Sequence, residues 1–114
     1  MKTAVDDLFN NRDLSAAAAI DRHFAAAFRQ RTNGTWDDHT VFLTRITDLR
    51  ETVEHAAITV LDEVADGSRY AERHVIDLAF RNGDRVRQEV YVFAERGLDG
   101  RCICIEEMTL TLGH

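Results

Sequence analysis

Proline is absent from all 114 residues, so nothing in the chain stops a helix interior or a central strand by removing a backbone donor. Cysteine is scarce: Cys102 and Cys104 both fall in RCICIEE. On a regular strand, residues i and i+2 share a face with Cα atoms ~6.5–7 Å apart, at or beyond the reach of a disulfide. They read as reduced, partly buried thiols, and the chain as cytoplasmic. No CxxC or HxxxH spacing occurs, and two thiols fall short of a structural metal site, so no metal is expected. There is no basic excess either: 14 Lys and Arg stand against 20 Asp and Glu, a net charge of −6. That balance argues against nucleic acid and anionic membranes as partners. No apolar run is long enough to span a bilayer, and MKTAVDDLF lacks the apolar stretch of a signal peptide. What remains is globular, 45% hydrophobic and 30% charged, of a length that suits one domain over 1–114 with one core.

The first fifty residues read as helix and the rest as strand. Thr3 with Asp6 makes a start resembling a capping box, followed by the stripe Val5, Leu8 and Phe9. NNRDLS breaks that helix. Ser15 then caps AAAAIDRHFAAAF, in which Ile20, Phe24 and Phe28 recur every fourth residue of an alanine-rich helix. A short irregular or extended piece, FRQRTNGT, leads to a third helix, with Asp37 as N-cap and Trp36 and Val41 as a hydrophobic staple. Its stripe is Phe42, Ile46, Leu49 and Val53. Four strands follow, over about 53–65, 69–81, 85–96 and 101–112, separated by Asp66-Gly67, Asn82-Gly83 and the Gly97–Gly100 loop. The expectation is an α+β domain, three helices packed on an antiparallel meander.

A two-residue turn at Asn82-Gly83 pairs His74 with Tyr91, Ile76 with Glu89 and Glu72 with Phe93. If 95 pairs with 101 in the last hairpin, Glu89 meets Glu107 and Tyr91 meets Ile105. One face then holds Tyr70, Glu72, His74, Ile76, Glu89, Tyr91, Phe93, Ile105 and Glu107: apolar walls around a few ionisable groups, as in a binding pocket. A one-residue slip would bring Glu106 inward in place of Glu107. The opposite face carries Val75, Ala79, Val86, Val90, Val92, Ala94, Cys102, Cys104 and Met108. Three helices cover one face only, so the second is expected to pack on its copy in an isologous homodimer.

The element order, DLFNNRDLSAAAAI as first helix-loop-helix, YAERHVIDLAF, and the ending EVYVFAERGLDGRCICIEE together resemble the nuclear transport factor 2-like superfamily, and within it the SnoaL-like group. The resemblance covers nearly the whole chain. It implies a curved, cystatin-like cone with a pocket between helices and sheet, and a range of functions: polyketide cyclases, ketosteroid isomerases, epoxide hydrolases and non-catalytic binders. His74 stands where SnoaL-like cyclases line the pocket with a strand histidine, although their Thr-His-x-Gly reads Arg73-His74-Val75-Ile76 here. FRQRTNG has no carboxylate where ketosteroid isomerases place an acidic base.

His74 is the first catalytic candidate, because a histidine exchanges protons near neutral pH; the plain alternative is a core histidine satisfied by a carboxylate or carbonyl. Glu89 and Glu107 are the second: two carboxylates in a half-apolar pocket resist double ionisation, so one can serve as acid or base. Arg85, Arg87 or Arg101 could instead neutralise them. Tyr91, Gln30, Trp36, Tyr70 and Ile105 are the expected ligand-lining residues, with Arg31 near the mouth. Two functions follow. One is an enzyme, a cyclase, isomerase or hydrolase moving protons on a small carbonyl-bearing substrate without metal or organic cofactor. The other is a non-catalytic module that sequesters a small molecule or dimerises.

Overall fold

The elements form largely where local chemistry directs them. In the computed structural model, which describes residues 1–112, they are α1 (Lys2–Val5), a π-helical turn (Asp6–Asn10), α2 (Ala16–His23), β1 (Phe24–Thr32), β2 (Thr35–Asp38), α3 (His39–Thr52), β3 (Val53–Asp66), β4 (Arg69–Phe80), β5 (Arg85–Arg96) and β6 (Cys102–Thr111). Ser15 caps α2, its hydroxyl accepting from the Ala18 N–H at 3.1 Å. The six strands form one sheet in the order β2-β1-β6-β5-β4-β3, antiparallel except where β1 runs parallel to β6. The core lies between helices and sheet: Leu8, Phe9, Ile20, Phe42 and Ile46 meet Val90, Val92 and Ile105. No helix among the described residues is long and apolar enough to cross a membrane.

Several local expectations fail. α1 begins before Thr3, and no side chain caps it. α2 ends at His23, so Phe24 and Phe28 belong to β1. A spacing of four fits one face of a strand as well as one of a helix, and pairing with β6 plus packing outweighs alanine's helix preference. Phe24, Phe28 and Phe42 form a triangle with ring centroids 4.6–5.1 Å apart. Asp38, not Asp37, caps α3, accepting from the Val41 N–H at 2.9 Å. Trp36 and Val41 are each 44% exposed and form no staple. Asp37 instead lies 2.6 Å from Arg45 Nη2, at ion-pair distance but out of hydrogen-bond alignment.

The β4–β5 turn has consequences for the site. It is a three-residue loop, Arg81-Asn82-Gly83. The Phe80 N–H donates to Asp84 O (2.8 Å) and the Gly83 N–H to Phe80 O (3.0 Å). Gly83 takes φ +95°, the left-handed position that closes such a loop. His74 therefore pairs with Val90, Glu72 with Val92 and Ile76 with Gln88. Every β5 partner comes one residue earlier than a two-residue turn gives, which reverses the faces of β5. A second odd shift, with Val92 opposite Glu107 and Ala94 opposite Ile105, restores β6 to its expected side. A bulge at Glu95–Arg96 faces Cys104 and Cys102 and turns these two free thiols to opposite faces.

Candidate functional site

Tyr70, Glu72 and His74 alternate along β4, so all three project toward the helices. The Glu72 side chain has no solvent exposure and His74 as a residue only 5%. Tyr70 donates its hydroxyl to Glu72 Oε1, with Glu63 Oε2 2.8 Å away on the other side. His74 Nδ1 lies 2.6 Å from Glu72 Oε2, and the Met1 α-amino nitrogen 3.6 Å from Oε1. Burial pushes the Glu72 carboxyl up, but the hydrogen bonds from His74 and Tyr70 outweigh it and hold the group below the usual range. An ionised carboxylate only accepts, so Nδ1 carries a proton. Burial, with the Glu72 hydrogen bond, pushes the Tyr70 hydroxyl far up and keeps it a donor.

His74 Nε2 thus keeps its function for something else. It makes no hydrogen bond among the described residues, yet it is not a sealed, orphaned atom; the one such side-chain atom is Asp37 Oδ2. A carboxylate behind one imidazole nitrogen fixes the orientation of the ring and stabilises the cation formed when the other nitrogen takes a proton.

Glu107 is on the same face. Parallel pairing of β1 with β6 sets Gln30 opposite Ile105 and Thr32 opposite Glu107. Glu107 Oε1 accepts from Gln30 Nε2 at 2.8 Å and from Thr32 Oγ1 at 3.2 Å. Burial raises the Glu107 carboxyl above its ordinary range, while those bonds and the charges of His74 and Arg45 only partly offset it. Two inward carboxylates on one face are therefore pushed in opposite directions. Such divergence separates acid and base roles.

The reversed β5 removes several expected members. Glu89 and Tyr91 face outward with Phe93, and Glu89 sits 3.4 Å from Arg73 Nη1, paired to an arginine. Trp36 lies on the outer side of the sheet edge with the Arg29 guanidinium 4.6 Å over its ring. Of the expected outward row, Val90, Val92, Ala94 and Cys102 are buried in the core instead, and Val86 follows Leu78 inward. His74, Glu107, Tyr70, Gln30 and Ile105 keep their inward positions. Glu72, which the alternation Tyr70-x-Glu72-x-His74 already places on this face, is absent only from the residues expected to do chemistry or to line the ligand. Among the described residues no cluster of three or more His, Cys, Asp or Glu could hold a metal ion.

By sequence, no family model matches the chain and no curated protein does. By structure, it is similar to an LEH-like epoxide hydrolase from M. tuberculosis (TM-score 0.72, 18% identity, 96% of this chain and 81% of that one). It is similar to a nuclear transport factor 2-like protein of unknown function from Exiguobacterium sp. 255-15 (TM-score 0.71, 14% identity, 98% of each chain). A candidate SnoaL-like polyketide cyclase from Jannaschia sp. CCS1 matches with TM-score 0.69 at 12% identity, over 92% of this chain and 78% of that one. At these identities the likeness carries the fold and leaves the chemistry to the site.

Proposed function

We propose, starting from a chain with the nuclear transport factor 2-like fold, that it binds a small carbonyl-bearing molecule and moves a proton on it by acid/base chemistry without a cofactor. One observation carries this reading: the solvent-free Glu72 carboxylate at 2.6 Å from His74 Nδ1. In this reading His74 Nε2 removes the proton, and Glu72 steadies the imidazolium. Tyr70 keeps Glu72 in place. Glu107, which burial biases toward its protonated form, donates to the oxygen where charge develops. The fold neighbours named for epoxide hydrolysis and polyketide cyclisation support a reaction of this class.

A nitrobenzisoxazole, whose ring opens once a base removes one proton, tests the idea without knowledge of the natural substrate. The expected result is turnover above buffer that falls by about 10²-fold or more in His74→Ala. A wild-type rate equal to buffer, or an unchanged rate in the variant, overturns the reading. Native mass spectrometry of freshly purified protein should also reveal a co-purified small molecule.

The outer sheet face supports a second reading of the same chain, as a homodimer. Phe93 is 70%, Val64 69% and Met108 60% exposed, and Tyr91 joins them in one surface. Charges of both signs border it, Asp62 and Arg73 on one side and Arg31 and Glu106 on the other. An isologous contact can therefore match its rim to itself while covering the apolar centre. Light scattering at micromolar concentration should give twice the chain mass, and Phe93→Glu should give the monomer. A wild-type monomer overturns the proposal.

A further inference from the structure

A cleft of about 290 Å³ opens between the start of α1, the end of α2 and the loop joining β5 to β6. Its walls carry Arg22, Arg96 and Arg101 with one carboxylate, Asp99, in a chain of net charge −6. Ala4, Phe24, Tyr70 and Ala94 add apolar groups to the lining. Three guanidinium groups beside one carboxylate are the opposite of what the overall charge predicts.

The three guanidinium groups differ in how far they are already engaged. Arg101 Nε donates to Asp99 Oδ2 at 2.8 Å, and its Nη1 lies 3.3 Å from Asp21 Oδ1. Arg22 Nη1 reaches Asp7 Oδ2 at 3.3 Å, but that oxygen is already 2.6 Å from His23 Nε2. Arg96 makes no ion pair with a carboxylate among the described residues. Its guanidinium lies 5.1 Å over the Tyr70 ring, which holds the plane by cation–π attraction and leaves its N–H edge without a charged partner. An oriented but uncommitted guanidinium matches two oxygens of one carboxylate.

We propose that this cleft binds the carboxylate of a small organic acid, with Arg96 as its principal partner and Arg22 as a second. The acid's apolar body would lie on Phe24, Tyr70 and Ala94. One uncommitted guanidinium suits a monoanion better than a phosphate dianion, and the volume is at the small end for ligand sites. The inference goes beyond the proton-transfer reading and does not depend on it, since binding here needs neither His74 nor Glu107.

Titration of isotopically labelled protein with benzoate and phenylacetate, followed by amide NMR, tests it. Their neutral amides and inorganic phosphate serve as the comparison arms. Saturable shifts are expected at Tyr70, Ala94, Gly100 and Cys102 with the carboxylates, and not with the amides or phosphate. Arg96→Gln should weaken binding by about tenfold or more while the rest of the spectrum stays in place; Arg22→Gln should weaken it less. Equal affinity for acid and amide, phosphate binding as tight as the acids, unchanged affinity in Arg96→Gln, or no saturable shift with either acid would each overturn the proposal. The titration reads binding alone, so its failure is separate from a failure of turnover.

Discussion

The two faces of the sheet use the same residue types to different ends. On the inner face Glu72 and Glu107 are bonded to His74, Tyr70, Gln30 and Thr32, with no arginine in hydrogen-bond contact. On the outer face Glu89 is matched by Arg73, which also reaches Asp62 at 2.6 Å, while Phe93 and Met108 are exposed between the charges. Glu89 keeps 18% of its side chain exposed against 42% for Arg73, and a carboxylate answered by an arginine at such a partly solvated surface is neutralised and contributes little. One held by a histidine and a phenol in a dry site keeps its charge available, and its loss strands its partners. Environment separates a structural glutamate from a chemical one.

The largest expected effect tests that contrast directly. Glu72→Ala leaves the His74 Nδ1–H without its buried acceptor and the Tyr70 hydroxyl with Glu63 alone, and should cost about 3–5 kcal/mol in urea unfolding. A loss within the scatter of outer-face variants would erase the distinction. Glu72→Gln sharpens it through pH. The folded-state carboxyl titrates below its ordinary 4.5, so its stabilisation is fully present above that pH and fades as pH falls through the lower folded value. The wild-type advantage over Glu72→Gln should therefore be greatest near neutrality and shrink in acid.

Glu107→Gln should behave in the opposite sense, with a smaller amplitude. This carboxyl titrates above its ordinary 4.5 in the fold, so the folded state prefers the neutral form. The associated stability is complete below about 4.5 and is lost as pH rises through the raised value. An amide stays neutral throughout and can still accept from Gln30 and Thr32. The variant should then exceed wild type by roughly 1 kcal/mol near neutral pH, with no gain near pH 4. Urea midpoints across that range would decide it, and a gain independent of pH would sink the burial argument.

The architecture was legible because it rests on patterns that local chemistry enforces: alternation over four strands, turns marked by glycine, a serine cap at Ser15. Register was not legible, because Asn82-Gly83 fits both a two-residue turn and the last two positions of a three-residue loop, and only tertiary pairing chooses between them. That single residue moved Glu89, Tyr91 and Phe93 out of the site and Val90 and Val92 into the core. Glu107 kept its place because two odd shifts cancelled, which is a correct placement reached through a wrong pairing. The trio Tyr70, Glu72 and His74 was secure throughout, since three alternate residues on one strand share a face whatever the register. β1 stayed hidden because Phe24 and Phe28 satisfy both periods.

The smallest effect is expected at Glu89, and it bears on the same lesson from the other side. Its partner Arg73 already has Asp62 at 2.6 Å, closer than the 3.4 Å to Glu89, so removing Glu89 leaves no buried charge unanswered. Glu89→Ala should leave the urea midpoint indistinguishable from wild type, and added salt should not separate the two. A turnover assay on the same variant should also match wild type, because the side chain points away from His74. A variant that unfolds readily or loses activity would mean that β5 presents its odd-numbered residues inward after all, and the comparison of the two faces would have to be redrawn from the Asn82-Gly83 turn.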